Sequence, residues 1–295
     1  MSPVIRYLIL AFMLLAPVSG LAGDGTPAAA GRVVSLSPII TETIYLLGAQ
    51  DALMANTSYC NVPADAAQKE KIGSVTQVNV EKIISLSPDL VITSALTREK
   101  QIRILKRQGI RVMEIKNPRT FDQMCAITQK IGRALGKSRE AEAITTAARD
   151  RVAQIRGRVA RFHPRRVFIQ IGLKPLHTVN KDLFINEFIV LSNGINIAEN
   201  QPSGVYSREQ VIRDDPDVML IATMGSSKKA GVLEKRRWMK FSSLRAGAND
   251  EIHVLDPELI CSPTPVSFVQ GLDRVAALIH PESSESKLPG GGHVQ

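Results

Sequence analysis

The sequence predicts an α/β protein of two lobes, each built on a mostly parallel sheet, joined by one long helix. Three observations carry this reading. First, one helix–turn–strand unit occurs twice. Asn79-Val80-Glu81-Lys82 leads through Ser87-Pro88-Asp89 to the apolar run Leu90–Ile92, and Ser207-Arg208-Glu209-Gln210 leads through Asp215-Pro216-Asp217 to Val218–Ile221. A small polar residue can cap each helix, and a glutamate follows two positions later, where the helix dipole favours negative charge. A Pro-Asp pair then ends each helix. A unit repeated in both halves points to two similar lobes. Second, strand and helix patterns alternate along the chain, which implies βαβ units and a parallel sheet. Third, Ser138 to Phe162 reads as one charged helix with apolar positions at Ala141, Ile144, Ala148, Val152 and Ile155.

Before the fold begins, Arg6 precedes an apolar run from Tyr7 to Ala16, then Pro17 and Gly20-Leu21-Ala22. That is the pattern of a secretory signal cleaved after Ala22, too short for a comfortable membrane span. The mature chain is therefore expected to be exported and, in a bacterium with two membranes, periplasmic. With no cysteine at the cleavage site, a lipid anchor is not expected. The expected organisation is signal peptide 1–22, linker 23–31, first lobe 32–137, bridging helix 138–163, second lobe 164–281 and a disordered tail 282–295 rich in Ser, Gly and Pro.

Val33–Leu36 reads as the first strand. Ser37-Pro38 then opens a helix that carries Ile40, Ile44 and Leu47 and stops at Gly48. Leu53–Asn56 reads as a strand, followed by the loop Thr57–Pro63. After the first repeat copy come helix Arg98–Gln108, strand Val112–Ile115 and helix Phe121–Leu135, with glycine stops at Gly109 and Gly136. The second lobe opens with strand Arg166–Ile171, a loop Gly172–Lys181, and helix Leu183–Leu191 stopped by Gly194. The second repeat copy, a Gly-Ser loop at Met224–Ser227, a basic helix Lys228–Lys240, strand Ile252–Leu255, loop Leu259–Pro265 and helix Phe268–Ile279 complete it.

Composition is that of a globular chain, 44% hydrophobic and 22% charged, with a formal net charge of +9. The Lys and Arg are scattered along helices, as at Arg98, Lys100, Arg103, Lys106 and Arg107, which fits solvated faces; export also argues against a nucleic-acid partner. Three cysteines, Cys60, Cys125 and Cys261, form no CxxC pair and allow at most one disulfide. Cys125 lies in a helical pattern as an apolar filler. Neither a GxSxG elbow nor an HExxH is present, and the five histidines have no ligand spacing. Gly132–Ser138 resembles a phosphate loop but is one residue short and falls at a helix end. Nothing in the chain asks for an enzyme.

Five blocks in order carry a family resemblance: Arg32-Val33-Val34-Ser35-Leu36-Ser37-Pro38 with Thr41-Glu42 and Leu47-Gly48; Val80-Glu81-Lys82-Ile83 with Ser87–Val91; Gly172–Leu176 with Gly194–Ala198; Ser207–Val211 with Pro216-Asp217-Val218; and Val254–Pro257 with the helix at Phe268. They span about Arg32 to Pro281. The chain resembles the cobalamin/siderophore/haem class of periplasmic binding proteins, the substrate-binding subunits of ABC importers. Its Ser-Leu-Ser-Pro opening is most similar to the vitamin B12-binding, BtuF-like members.

The resemblance implies a class III periplasmic binding protein-like fold, with ligand held between the lobes and only small lobe motions. It implies that Glu81 and Glu209, one per lobe, dock onto arginines of a permease dimer. Such a partner presents its basic pocket twice. The ligand-binding residues it implies, in loops after strand ends, are Ser37, Pro38, Tyr59, Cys60, Ser94, His177, Ser203, Met224, Cys261, Ser262 and Pro263. Tyr59 matches a position where an aromatic ring stacks on a corrin. Val75–Thr76 and Ser203 lack the aromatics of B12-type clefts, and Val266 stands where an arginine is often found. No intrinsic cofactor and no free metal ion is expected. The transported ligand it implies is cobalamin or another corrinoid, with haem or a ferric siderophore as alternatives, and His177 is a candidate axial ligand to bound cobalt or iron. Cys60 and Cys261 are expected to face each other across the cleft. The protein is expected to be a monomer. The other reading is an exported sensor or enzyme domain on the same fold.

Overall fold

The computed structural model describes residues 29–223, 228–261 and 263–285. The expected signal peptide, Met224, Ser262 and the end of the expected tail, 286–295, lie outside the described residues.

The first lobe is laid down by β1 (Val33–Ser35), α1 (Pro38–Leu46), β2 (Leu53–Asn56), β3 (Glu70–Lys71), α2 (Val80–Ser85), β4 (Leu90–Thr93), α3 (Glu99–Arg107), β5 (Arg111–Glu114) and α4 (Phe121–Ala134). Its sheet runs β3-β2-β1-β4-β5, with every pair parallel. β1 and β4 are buried along their whole length, as strands covered by helices on both faces must be. Ser37 holds the N-cap position of α1, yet its side chain makes no cap bond; its carbonyl instead accepts from the Ser35 hydroxyl at 3.1 Å.

The second lobe comprises β6 (Arg165–Leu173), β7 (Leu176–Thr178), α6 (Asn186–Leu191), β8 (Gly194–Asn196), α7 (Arg208–Asp214), β9 (Val218–Ile221), α8 (Lys228–Trp238), α9 (Arg245–Ala248), β10 (Ile252–Val254), α10 (Pro257–Cys261), α11 (Pro265–Ile279) and α12 (Glu282–Glu285). Its sheet runs β10-β9-β6-β7, with β8 also on β6; only β7 is antiparallel.

Between the lobes lies α5 (Ser138–Val159). Ala141 belongs to the first lobe's core, whereas Ala148, Val152, Ile155 and Val159 belong to the second's. One helix thus anchors in both cores. α4 is shared as well: Ile131 packs in the first core, and Phe121 stacks on Phe268 of α11 with ring centroids 4.9 Å apart.

The repeated unit is matched beyond its sequence. Asn79 Oδ1 caps α2 by accepting from Lys82 N (2.9 Å), and Ser207 Oγ caps α7 by accepting from Gln210 N (3.1 Å). Each helix then turns through a residue in left-handed backbone, Ser87 (φ 47°) and Asp215 (φ 39°). In each lobe an Arg–Asp clasp ties this turn to the first strand. Asp89 Oδ2 accepts from Arg32 N at 2.9 Å, and Arg32 Nη2 donates to Leu86 O at 2.7 Å. Asp217 Oδ2 accepts from Arg166 N at 2.8 Å, and Arg166 Nη2 donates to Asp214 O at 2.7 Å. The carboxylate satisfies a strand-start donor, while the guanidinium satisfies carbonyls that the ending helix leaves open.

Several sequence expectations are corrected. The loop Gly172–Lys181 is largely a hairpin: β6 runs on to Leu173 and returns as β7. Gly172 permits it, because a Cβ there would stand 2.9 Å from His177 Cβ. Gly194 does not stop α6; Asn193 does so, in left-handed backbone, and Gly194 opens β8. Helix α6 begins at Asn186, not Leu183, because Asn180 Oδ1 accepts from Asp182 N and holds the preceding residues in a turn. Leu259–Cys261 is helical, since Pro257 starts α10. Helix α11 begins at Pro265, capped by Thr264, three residues before Phe268. Residues 282–285 form α12, so the start of the expected disordered tail is ordered.

Candidate ligand cleft

In a parallel α/β sheet, loops at the carboxyl ends of the strands form the binding crevice. Here those loops from both lobes meet in a pocket of about 510 Å³. Pro38 and Glu42 of α1 and Tyr59, Asn61 and Val62 of the loop after β2 form one wall. Glu258, Leu259 and Cys261 of α10, together with Ser267 of α11, form the other. Beside it lies a narrower pocket of about 50 Å³, lined among others by Ser37, Ser94, Asn117, Pro263 and Thr264.

Tyr59 leaves 63% of its surface exposed, so its ring offers a free apolar face within the pocket. Cys261 is a neutral thiol, its pKa pushed up to about 12 by burial. Glu42 is pushed up to about 7, by burial first and by the nearby charge of Glu258 second. Among the described residues that line this pocket there is no Lys, Arg or His.

The structure therefore brings together Ser37, Pro38, Tyr59, Ser94, Cys261 and Pro263 between the lobes. Three expected residues are placed elsewhere. Cys60 is fully buried inside the first lobe, where its Sγ lies 3.2 Å from both the Thr41 and the Thr57 hydroxyls. It does not face Cys261, and all three cysteines are free thiols. His177 sits on β7 opposite Gly172 and bridges to Val205, outside the walls of both pockets. Ser203 is exposed in the adjoining loop, where its Oγ accepts from Val205 N at 3.3 Å. Met224 and Ser262 lie outside the described residues. Among the described residues, no cluster of three or more His, Cys, Asp or Glu could hold a metal ion.

Glu42 and Glu258 were not singled out as ligand-facing by sequence reasoning. The available signal was position: each is a carboxylate within the first turn or two of a Pro-started helix that opens at a strand's carboxyl end.

Glu81 and Glu209 each occupy the second position of a capped helix, and both are exposed. The Glu209 carboxyl is held below its usual range by its own backbone N–H and then by the Ser207 hydroxyl. Each helix folds back through a tight turn into its strand. Its first residues therefore lie at the end of the sheet where the strands finish.

Two α/β lobes on a shared helix, with an open pocket walled by both, define a two-lobed ligand-binding protein. The periplasmic binding protein family profile matches residues 33–259, and the chain belongs to that family, whose members deliver substrates to ABC importers. It is 29% identical over 260 residues to the uncharacterized ABC transporter substrate-binding lipoprotein YvrC of Bacillus subtilis, covering 85% of this chain and 81% of the relative. It is 32% identical over 197 residues to the vitamin B12-binding protein of Yersinia pestis, covering 66% and 70%. In fold it is similar to a periplasmic haem-binding protein from Pseudomonas aeruginosa, with a TM-score of 0.74 at 21% identity, covering 85% and 93%.

Proposed function

We propose that this protein captures cobalamin or another corrinoid in the interlobe cleft and presents it to an ABC importer permease dimer through Glu81 and Glu209. Tyr59 carries the ligand reading. Its exposed ring stands in a pocket walled by both lobes, and a flat macrocycle binds by stacking on such a face. The likeness to a vitamin B12-binding relative supports the same choice. The matched, exposed positions of Glu81 and Glu209 support the docking role, since carboxylates are the strong partners of arginines. His177 has no part in this reading, because it stands outside both pockets.

The test is an absorbance titration with cyanocobalamin, haemin and a ferric siderophore in turn. Trp238, fully buried and bonded to Gln170, is a poor reporter of the cleft, so the ligands' own bands are followed. Saturable one-to-one binding of cyanocobalamin is expected, weakened about tenfold in Tyr59→Ala, as the loss of a stacking contact implies. Saturable binding of haemin or the siderophore alone would overturn the corrinoid assignment and leave the family intact.

A further inference from the structure

The two carboxyl groups in the pocket come from opposite lobes. Glu42 lies one turn inside α1, and Glu258 follows the proline that starts α10. They are close enough that the charge of Glu258 raises the pKa of Glu42. The rest of the wall offers no cation to balance them: it presents the Tyr59 phenol, the Asn61 amide, the protonated Cys261 thiol and the Ser267 hydroxyl. The cation behind the loop after β2, Lys71, is held by Asn56 Oδ1 and by the carbonyls of Cys60 and Ala66. On the α1 side, Tyr45 gives its hydroxyl to Asp65, and the Cys60 thiol is turned into the core. On the α10 side, Asp256 accepts from Glu258 N at 3.0 Å and adds a further acid. On α11, Asp273 is taken by Arg151 and Arg158 of α5.

We propose that Glu42 and Glu258 make the cleft select by charge: it admits ligands that present amide N–H or cationic groups to this wall and turns away those that present carboxylates. The proposal rests on the interlobe pocket being the capture site. A carboxylate brought into a partly desolvated pocket beside two others meets like charge at short range. An amide N–H meets an acceptor instead, and a hydrogen bond to a charged group is about twice as strong as a neutral one. A corrin rim of neutral amides fits this wall, and the anionic propionates of a haem do not. The selection is linked to protons. As pH falls through about 7, Glu42 takes up a proton, one charge disappears, and the penalty on an anionic ligand shrinks.

Cyanocobalamin and its monocarboxylate derivatives, in each of which one corrin amide is hydrolysed, test this directly. They are titrated into the wild type, Glu42→Gln, Glu258→Gln and the double variant at pH 6 and pH 8, with thermal melts to show that each variant is folded. At pH 8 the wild type should bind cyanocobalamin about tenfold tighter than the monocarboxylate whose acid faces this wall. The gap should narrow at pH 6, and in the double variant it should nearly vanish at both pH values. A gap that persists in the double variant, while both probes still bind, overturns the selection and leaves capture in the cleft standing. Binding of none of the probes by any form of the protein overturns the capture reading itself, and the selection with it.

Discussion

In the first lobe, α2 reaches β4 through Ser87, and Asp89 serves only the backbone at Gly31 and Arg32. In the second, α7 reaches β9 through Asp215, and here the same turn has acquired further work. Arg245 of α9 donates to both Asp215 oxygens and also pairs with Asp217. Deeper in, the second lobe buries a charge with no equivalent among the described residues of the first. Glu234 is fully buried, paired with Arg208 and Arg237 and bonded by Gln170, and Arg208 also lies over the ring of Trp238, 4.4 Å from its centroid. The lobes thus agree in the capped helix that exposes a glutamate at its second position, and they diverge in what lies beneath it. A partner with two-fold symmetry constrains the two surfaces to be alike and places no such demand on the two interiors.

The comparison breaks most visibly at the clasps. Asp217→Ala should destabilise the protein by about 2–3 kcal/mol, because it removes a charge-assisted bond to Arg166 N together with the Arg245 pair. Asp89→Ala, at an exposed site with backbone partners alone, should lower the urea midpoint by less. Equal losses would show that the Arg245 contacts are idle. A finer contrast lies in the left-handed turns. Ser87→Gly should stabilise by about 0.5 kcal/mol, since relief of the backbone strain slightly exceeds the entropy that glycine adds to the unfolded chain. Asp215→Gly should cost about 1–2 kcal/mol, because the two bonds from Arg245 are lost. Paired melts read both.

Much of the fold was legible in the sequence because its signals are local. Gly48, Gly109 and Gly136 end helices in left-handed backbone, Asn79 and Ser207 cap where their spacing predicts, and α5 runs from Ser138 as its periodicity requires. The misreadings come where two local signals compete. Pro263 and Pro265 read as loop punctuation, yet Pro265 opens α11 at its first helical position, as Pro257 opens α10. Gly172 and Pro175 read as a loop although the glycine makes room for a hairpin partner. The site was harder to read. Tyr59 and Cys261 line one pocket, but a buried Cys60 and an outlying His177 look like loop residues in any linear reading. The pairing of Glu42 with Glu258 exists only once the lobes are folded against each other, so no spacing in the chain announces it.

The docking role proposed for the outwardly alike lobes is tested most directly by the ATPase activity of the cognate ABC importer in proteoliposomes. The ligand-loaded wild type is compared with Glu81→Ala, Glu209→Ala and the double variant, with ligand affinity measured in parallel. The prediction is that each single variant loses part of the stimulation and the double variant loses all of it, with ligand affinity unchanged. Full stimulation by the double variant, or a matching fall in ligand affinity, would contradict the docking role of the repeated unit.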